Sequence, residues 1–187
     1  MDTFLNSNWF RGLVLALAVS VSGFALAACG GDEHEKKTGI VEGERFELGP
    51  LEYNVLFTRP LNLNDVEDSE YLVGQPAPDP DQTYIGVFLQ AENLDEDEAH
   101  ALPDSFKLAD TAGHTYENLD STSSYALKPG AEVGPEDVVP ALDSTPQVGP
   151  IEASMVLFVI DDESLELRPV EFEVEGEDGP ASVEVDL

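Results

Sequence analysis

The side chains best placed to do chemistry begin with Asp110, His114 and the nearby Ser121, Ser123 and Ser124. Acyl transfer needs a serine hydroxyl bonded to an imidazole that a carboxylate orients. No Gly-x-Ser-x-Gly elbow is present to hold such a serine on a strained turn, and serines in a polar loop are ordinary. With 39 acidic residues in the chain, any pair of carboxylates picked for glycoside hydrolysis is arbitrary. No phosphate-cradling glycine loop and no dinucleotide fingerprint occurs. The chain is therefore read as a non-enzyme, with no catalytic residue assigned and no cofactor expected.

Metal ligands are the second kind. Calcium takes six to eight oxygens, which acidic loops can supply. Candidate groups are Asn64, Asp65, Glu67, Asp68 and Glu70, then Asp79 and Asp81, then Asp95, Glu96, Asp97 and Glu98. None follows the Asp-x-Asp-x-Asp-Gly spacing of a calcium loop. Asp65, Glu67, Asp68 and Glu70 stand as candidate calcium or ligand contacts, joined by Tyr71 and Tyr125, which lie in two unusually long loops. Tyr84 and Tyr116 fall at strand positions and are assigned to packing. For copper or zinc the donors are His34, His100 and His114, with Met1 and Met155 as the only thioethers. Met155 has strand spacing and is assigned to the core, so no metal site is assigned.

The third kind is a single thiol, Cys29, which excludes a disulfide framework and a Cys-based zinc site. It follows an apolar run, Gly12 to Phe24, that is short for a membrane span of roughly 20 residues but has the length of a signal peptide. Leu26-Ala27-Ala28-Cys29 resembles the bacterial lipobox. Small residues let a signal peptidase reach the backbone, and the thiol is the group that accepts diacylglycerol. That resemblance implies removal of residues 1–28 and an acylated N-terminal Cys29 on the extracytoplasmic face of the cell membrane. Two acyl chains, at about 0.8 kcal/mol per buried methylene, anchor durably.

Cleavage would remove Asp2 and Arg11 together, so the net charge of -31 is unchanged. Such a surface lacks the lysine and arginine patch that phosphate binding requires, which excludes nucleic acid. It keeps a protein soluble and monomeric at a cost in self-repulsion. Two explanations stay open: recognition of a cationic or cell-envelope partner or of calcium, and a salt-adapted composition. A hydrophobic content of 42% excludes a wholly disordered chain.

The elements that must position these groups are strands. Residues 29–44 are small, polar and charged, and read as the lipidated cysteine with a flexible acidic tether. A sandwich is expected over 45–187. Leu51, Tyr53, Val55 and Phe57 alternate with polar residues, the period-2 signature of a half-buried strand, and only Leu56 breaks it. Residues 62–81 are acidic and then proline-rich, a long loop of the kind that is often functional. Thr83 to Ala91 is apolar on both faces, as a central strand is. Phe106 to Glu117 reads as a hairpin turning at Gly113. Residues 120–147 form the second long loop, with a short strand at Val138-Val139 and one helical turn before Asp143. Ile151 to Ile160 is the other strong strand. Pro169 marks an edge or a break, and Val183 to Leu187 is a last strand or a frayed tail. Seven to nine strands in an antiparallel, immunoglobulin-like β-sandwich are expected.

Several short motifs occur in order: Glu92-Asn93, Phe106-Lys107-Leu108-Ala109-Asp110, Gly113-His114-Thr115-Tyr116, Lys128-Pro129-Gly130, and the apolar strand Met155 to Ile160. Together, over Tyr53 to Val174, they resemble the telokin-like, immunoglobulin-fold domains of unknown function found on bacterial secreted lipoproteins. That resemblance implies a fold and a cell-surface setting, and transfers no catalytic residue. The expectation is a surface lipoprotein serving as an interaction or structural module. A calcium- or copper-binding lipoprotein and a hydrolase of wall polymers are the alternatives.

Overall fold

The computed structural model describes residues 35–187. Leu26, Ala27, Ala28, Cys29 and His34 lie outside the described residues. The strands are β1 Lys37–Val41, β2 Arg45–Leu48, β3 Leu51–Leu61, β4 Gln82–Asn93, β5 His100–Ala101, β6 Phe106–Ala109, β7 Thr115–Glu117, β8 Glu132–Val133, β9 Val138–Val139, β10 Ser154–Asp161, β11 Val170–Gly176 and β12 Gly179–Val185. One sheet has the order β1-β12-β11-β6-β7; the other runs β10-β4-β3-β2, with β9 pairing on β4. β5 and β8 form a separate ribbon. All these pairings are antiparallel except β1 with β12, which is parallel. The protein is an all-β sandwich.

Alternation builds its core. Ile85, Val87 and Leu89 of β4 and Val156, Phe158 and Ile160 of β10 point inward, where they meet Phe106, Leu108, Phe172, Val174 and Val183 of the other sheet. Phe172 stacks on Phe106 with centroids 5.6 Å apart and meets Phe158 edge-on at 6.1 Å. Each such side chain, withdrawn from water, contributes about 1.5–3 kcal/mol of transfer free energy.

The second face of β4 and β10 is also dry. Tyr84, Phe88, Met155 and Leu157 point outward from the sandwich and are covered by Tyr71 and Leu72 from 62–81 and by Tyr125 and Ala153. This smaller core explains why both strands are apolar on two faces. It also uses both long loops, which fold back as cover for the sheet. Residues 119–127 close the outer edge of β10 as well. The Leu119 amide donates to the Leu157 carbonyl at 2.7 Å, Leu127 to Met155 at 2.8 Å, and Met155 back to Tyr125 at 2.8 Å. An otherwise open ladder is thereby withdrawn from edge pairing.

Leu56 is the extra residue of a β-bulge, where the β3–β4 register shifts between Val55 and Phe57. A one-residue insertion flips every later side chain to the opposite face. Phe57, expected inward with Val55, instead lies on the outer face and stacks on Phe88 at 4.7 Å.

Other departures have local causes. Residues 37–41, expected in the tether, form β1, because the outer edge of β12 offers a ladder that a mostly polar strand can fill with Ile40 alone buried. Lys36 Nζ fastens the approach, 2.6 Å from Glu173 Oε1 and 3.4 Å from Glu171 Oε2. A 3-10 turn, Asp162–Glu166, follows β10 directly. β11 starts immediately after Pro169 and is central, so the proline marks a break and not an edge. The C-terminal segment is strand β12, between β1 and β11. The helical turn lies at Thr145–Val148, just beyond its expected place. Strands exceed the expected seven to nine mainly because β5, β8 and β9 have two residues each.

Candidate functional site

Three turns from both sheets converge at one end of the sandwich. Asn93, the last residue of β4, is buried and braces the turn that follows. Its Nδ2 reaches the carbonyls of Glu98 at 2.8 Å, Gly134 at 2.9 Å and Val133 at 3.0 Å, while Oδ1 accepts from the Asp95 amide at 3.0 Å. Asp95 Oδ1 accepts in turn from the amides of Asp97 at 2.8 Å and Glu98 at 2.9 Å. Those two bonds, with help from His100, hold the Asp95 carboxyl below its ordinary range. The second oxygen, Oδ2, is 3.3 Å from His100 Nε2.

His100 opens β5, with its imidazole 17% exposed, and its other ring nitrogen, Nδ1, is 3.7 Å from Glu177 Oε1. Glu177 belongs to the two-residue turn between β11 and β12. That turn is pinned where Asp178 accepts from the Gly49 amide at 3.1 Å. The Leu94 amide meets the Pro50 carbonyl at 2.9 Å, closing the third turn onto the first. Asp95, Glu98 and His100 each offer one ligand atom, all within 4.8 Å of one another. Among the described residues no other trio of His, Cys, Asp or Glu donors is gathered so closely. The sequence places Asp95 and Glu98 with calcium ligands and His100 with copper or zinc ligands; the structure brings the three together.

A second network surrounds Asp110 on the β6–β7 turn. Asp110 Oδ1 accepts from the amides of Ala112 and His114, both at 2.9 Å. Oδ2 accepts from Ser164 Oγ at 2.7 Å and His114 Nδ1 at 2.8 Å. Burial opposes ionisation of this carboxyl, but the four donors outweigh it and bring it down to about 2. The same carboxylate raises the His114 imidazole above its ordinary value. The serine here is Ser164; Ser123 instead donates to the Glu70 carbonyl at 2.7 Å. Ser164 is bonded to the acid and not to the imidazole, so the serine–imidazole–acid order of a hydrolytic triad is not formed.

The contacts expected in the 62–81 loop separate. Asp68 is buried, accepts from the Asn62 amide at 2.8 Å and pairs with Arg59 Nη2 at 2.5 Å. Its charge is thus paired with a guanidinium and not left for a metal ion. Tyr71 and Tyr125, expected as ligand contacts, are buried in the smaller core: they meet edge-on at 4.9 Å, with Arg59 5.8 Å above the Tyr71 ring. Glu70 accepts from the Tyr125 hydroxyl at 3.3 Å. Asp65 and Glu67 stay on the surface, Asp65 accepting from the Glu67 amide at 2.8 Å.

A cavity of about 190 Å³ with mixed polar and apolar walls lies over β2, β3 and β4, beside β9. Glu52, Glu92 and Glu152 line it against the single guanidinium of Arg45, whose Nη1 is 2.5 Å from Glu52 and 3.9 Å from Glu92.

Solved structures of similar shape include a β-sandwich. An uncharacterized β-sandwich protein from Clostridium difficile 630 aligns at a TM-score of 0.50 and 12% identity, over 83% of this chain and 98% of that one. MPT63, a secreted protein of Mycobacterium tuberculosis, aligns at 0.50 and 13% identity, over 80% of this chain and 98% of that one. At such identities the likeness concerns the fold alone. No family model matches the chain, and no curated protein does.

Proposed function

We propose that the protein is a lipid-anchored, extracytoplasmic, non-enzymatic β-sandwich that serves as an interaction or structural module at the cell membrane. The observation that carries the reading is Leu26-Ala27-Ala28-Cys29, the sole cysteine standing where a lipobox requires it. The secreted character of MPT63 accords with an extracytoplasmic setting. The order of the Phe106-to-Tyr116 and Lys128-Pro129-Gly130 motifs supports placing the sandwich with the telokin-like immunoglobulin domains.

The anchor sets the geometry of the module. β1 begins at Lys37, so residues 30–36 separate the acylated cysteine from the first strand. Seven extended residues span at most about 25 Å, which keeps the sandwich close to the bilayer. Against an enzymatic role stands the wiring of Ser164 to Asp110. For a partner, three glutamates around one arginine in the β2–β4 cavity, on a chain of net charge -31, favour a cationic surface.

Cys29→Ser tests the reading. The native chain enters the detergent phase when cells are extracted, and the variant moves to the aqueous phase. A native chain that stays aqueous contradicts the anchor.

A further inference from the structure

We propose that Asp95, Glu98 and His100 bind one divalent transition-metal ion of the zinc class, with Glu177 orienting the imidazole. This goes beyond the anchored-module reading and does not depend on it.

The spacing of the donors is the first argument. Two ligands at about 2.0–2.2 Å from a tetrahedral ion stand about 3.3–3.6 Å apart. His100 Nε2 and Asp95 Oδ2 are 3.3 Å apart. A proton shared directly between an imidazolium and a carboxylate draws them to about 2.7–2.9 Å. The gap fits two donors facing a common centre, and the Glu98 carboxylate lies within 4.8 Å of both.

Division of labour within Asp95 is the second. Its Oδ1 is occupied by the amides of Asp97 and Glu98, which orients the carboxylate and leaves Oδ2 toward His100. The Asn93 carboxamide fixes the Glu98 backbone from the buried side. The ligands therefore stand on a braced turn, and little ordering accompanies binding.

The third argument comes from the opposite sheet. A metal-bound histidine characteristically offers its other ring nitrogen to a carboxylate, which fixes the tautomer and raises ligand basicity. Glu177 Oε1 lies 3.7 Å from His100 Nδ1, carried there by the β11–β12 turn. A small turn of the exposed Glu177 side chain brings its carboxylate within hydrogen-bond reach of Nδ1–H and leaves the Nε2 lone pair for the ion. Imidazole with two carboxylates suits zinc and its neighbours, whereas calcium takes oxygen donors only. Water completes the coordination on the exposed side of Glu98.

Isothermal titration of chelator-stripped full-length protein with zinc chloride tests this. One ion per chain, bound at micromolar affinity or tighter and undisturbed by excess calcium, is expected. His100→Ala should weaken binding by more than about tenfold and Glu177→Gln by about tenfold, while His114→Ala leaves it unchanged. A proton NMR titration, which needs no variant, should move the His100 ring signals and not those of His114. Absence of saturable binding, binding that survives His100→Ala, competition by calcium, or unmoved His100 signals would overturn the assignment.

Discussion

Ser164 Oγ and His114 Nδ1 both bond to the same oxygen of Asp110, at 2.7 and 2.8 Å. A hydrolytic triad places the imidazole between serine and acid; here the acid is the hub. Because the Ser164 hydroxyl donates to Asp110, the Tyr116 hydroxyl, 2.8 Å from Ser164 Oγ and 3.2 Å from Asp161 Oδ2, divides its one proton between those two acceptors. The cluster locks the β6–β7 turn to the 3-10 turn at Asp162–Glu166.

Asp110→Asn should cost about 2–4 kcal/mol at neutral pH, since it sets an amide donor against donors in a buried site. The deficit has a defined pH window. Asp110 is depressed from 3.8 to about 2, so its contribution is complete above about pH 4 and fades as pH falls toward 2. His114 is raised above 6.5, so its contribution is complete below that value and fades as pH rises through the raised one. Urea denaturation across this range should show the Asp110→Asn deficit shrinking in acid and any His114→Ala deficit disappearing in alkali.

Phe88 stacks on Phe57 and meets Tyr71 edge-on at 5.2 Å, joining sheet to covering loop. Phe88→Ala should cost about 3–5 kcal/mol. Tyr71→Ala acts more locally: it should expose 62–81 to limited proteolysis and quicken amide exchange there, while the strands between the sheets stay protected.

Arg59 has the buried Asp68 carboxylate as its partner. Arg59→Met strands that charge and should cost about 2 kcal/mol, below the figure for a fully buried pair because the arginine is partly exposed. Adding Asp68→Asn removes the stranded charge while keeping an acceptor for the Asn62 amide. Chemical denaturation should find the double variant more stable than Arg59→Met alone.

At Gly176 a Cβ would sit 2.7 Å from Leu48 Cβ, where the β11–β12 hairpin crosses the end of β2. Gly176→Ala should lower stability by about 1–3 kcal/mol and displace the turn that carries Glu177. Thermal denaturation measures the first effect.

Strands were legible in the sequence where alternation and burial agree. β3, β4 and β10 announce themselves because the core demands apolar residues every second position, and β4 and β10 carry them on both faces. β1 is silent, since a parallel edge strand with one buried side chain needs no pattern; its evidence lies in β12. Leu56 registers as a break in period, but the sequence does not say that a bulge sends Phe57 to the other face. Tyr71 and Tyr125 look like loop aromatics because the sheet face they cover is distant in sequence. The end cluster was half visible: the acidic turn stands out, whereas His100 and Glu177 meet only once the two sheets pack.

The anchor remains the claim on which the proposed role rests, and mass spectrometry of the N-terminal tryptic peptide of the membrane-derived protein tests it most directly. The account predicts a peptide running from Cys29 to Lys36 that carries a diacylglyceryl group on the thiol. A peptide with an unmodified Cys29, or one beginning at another residue, would contradict it.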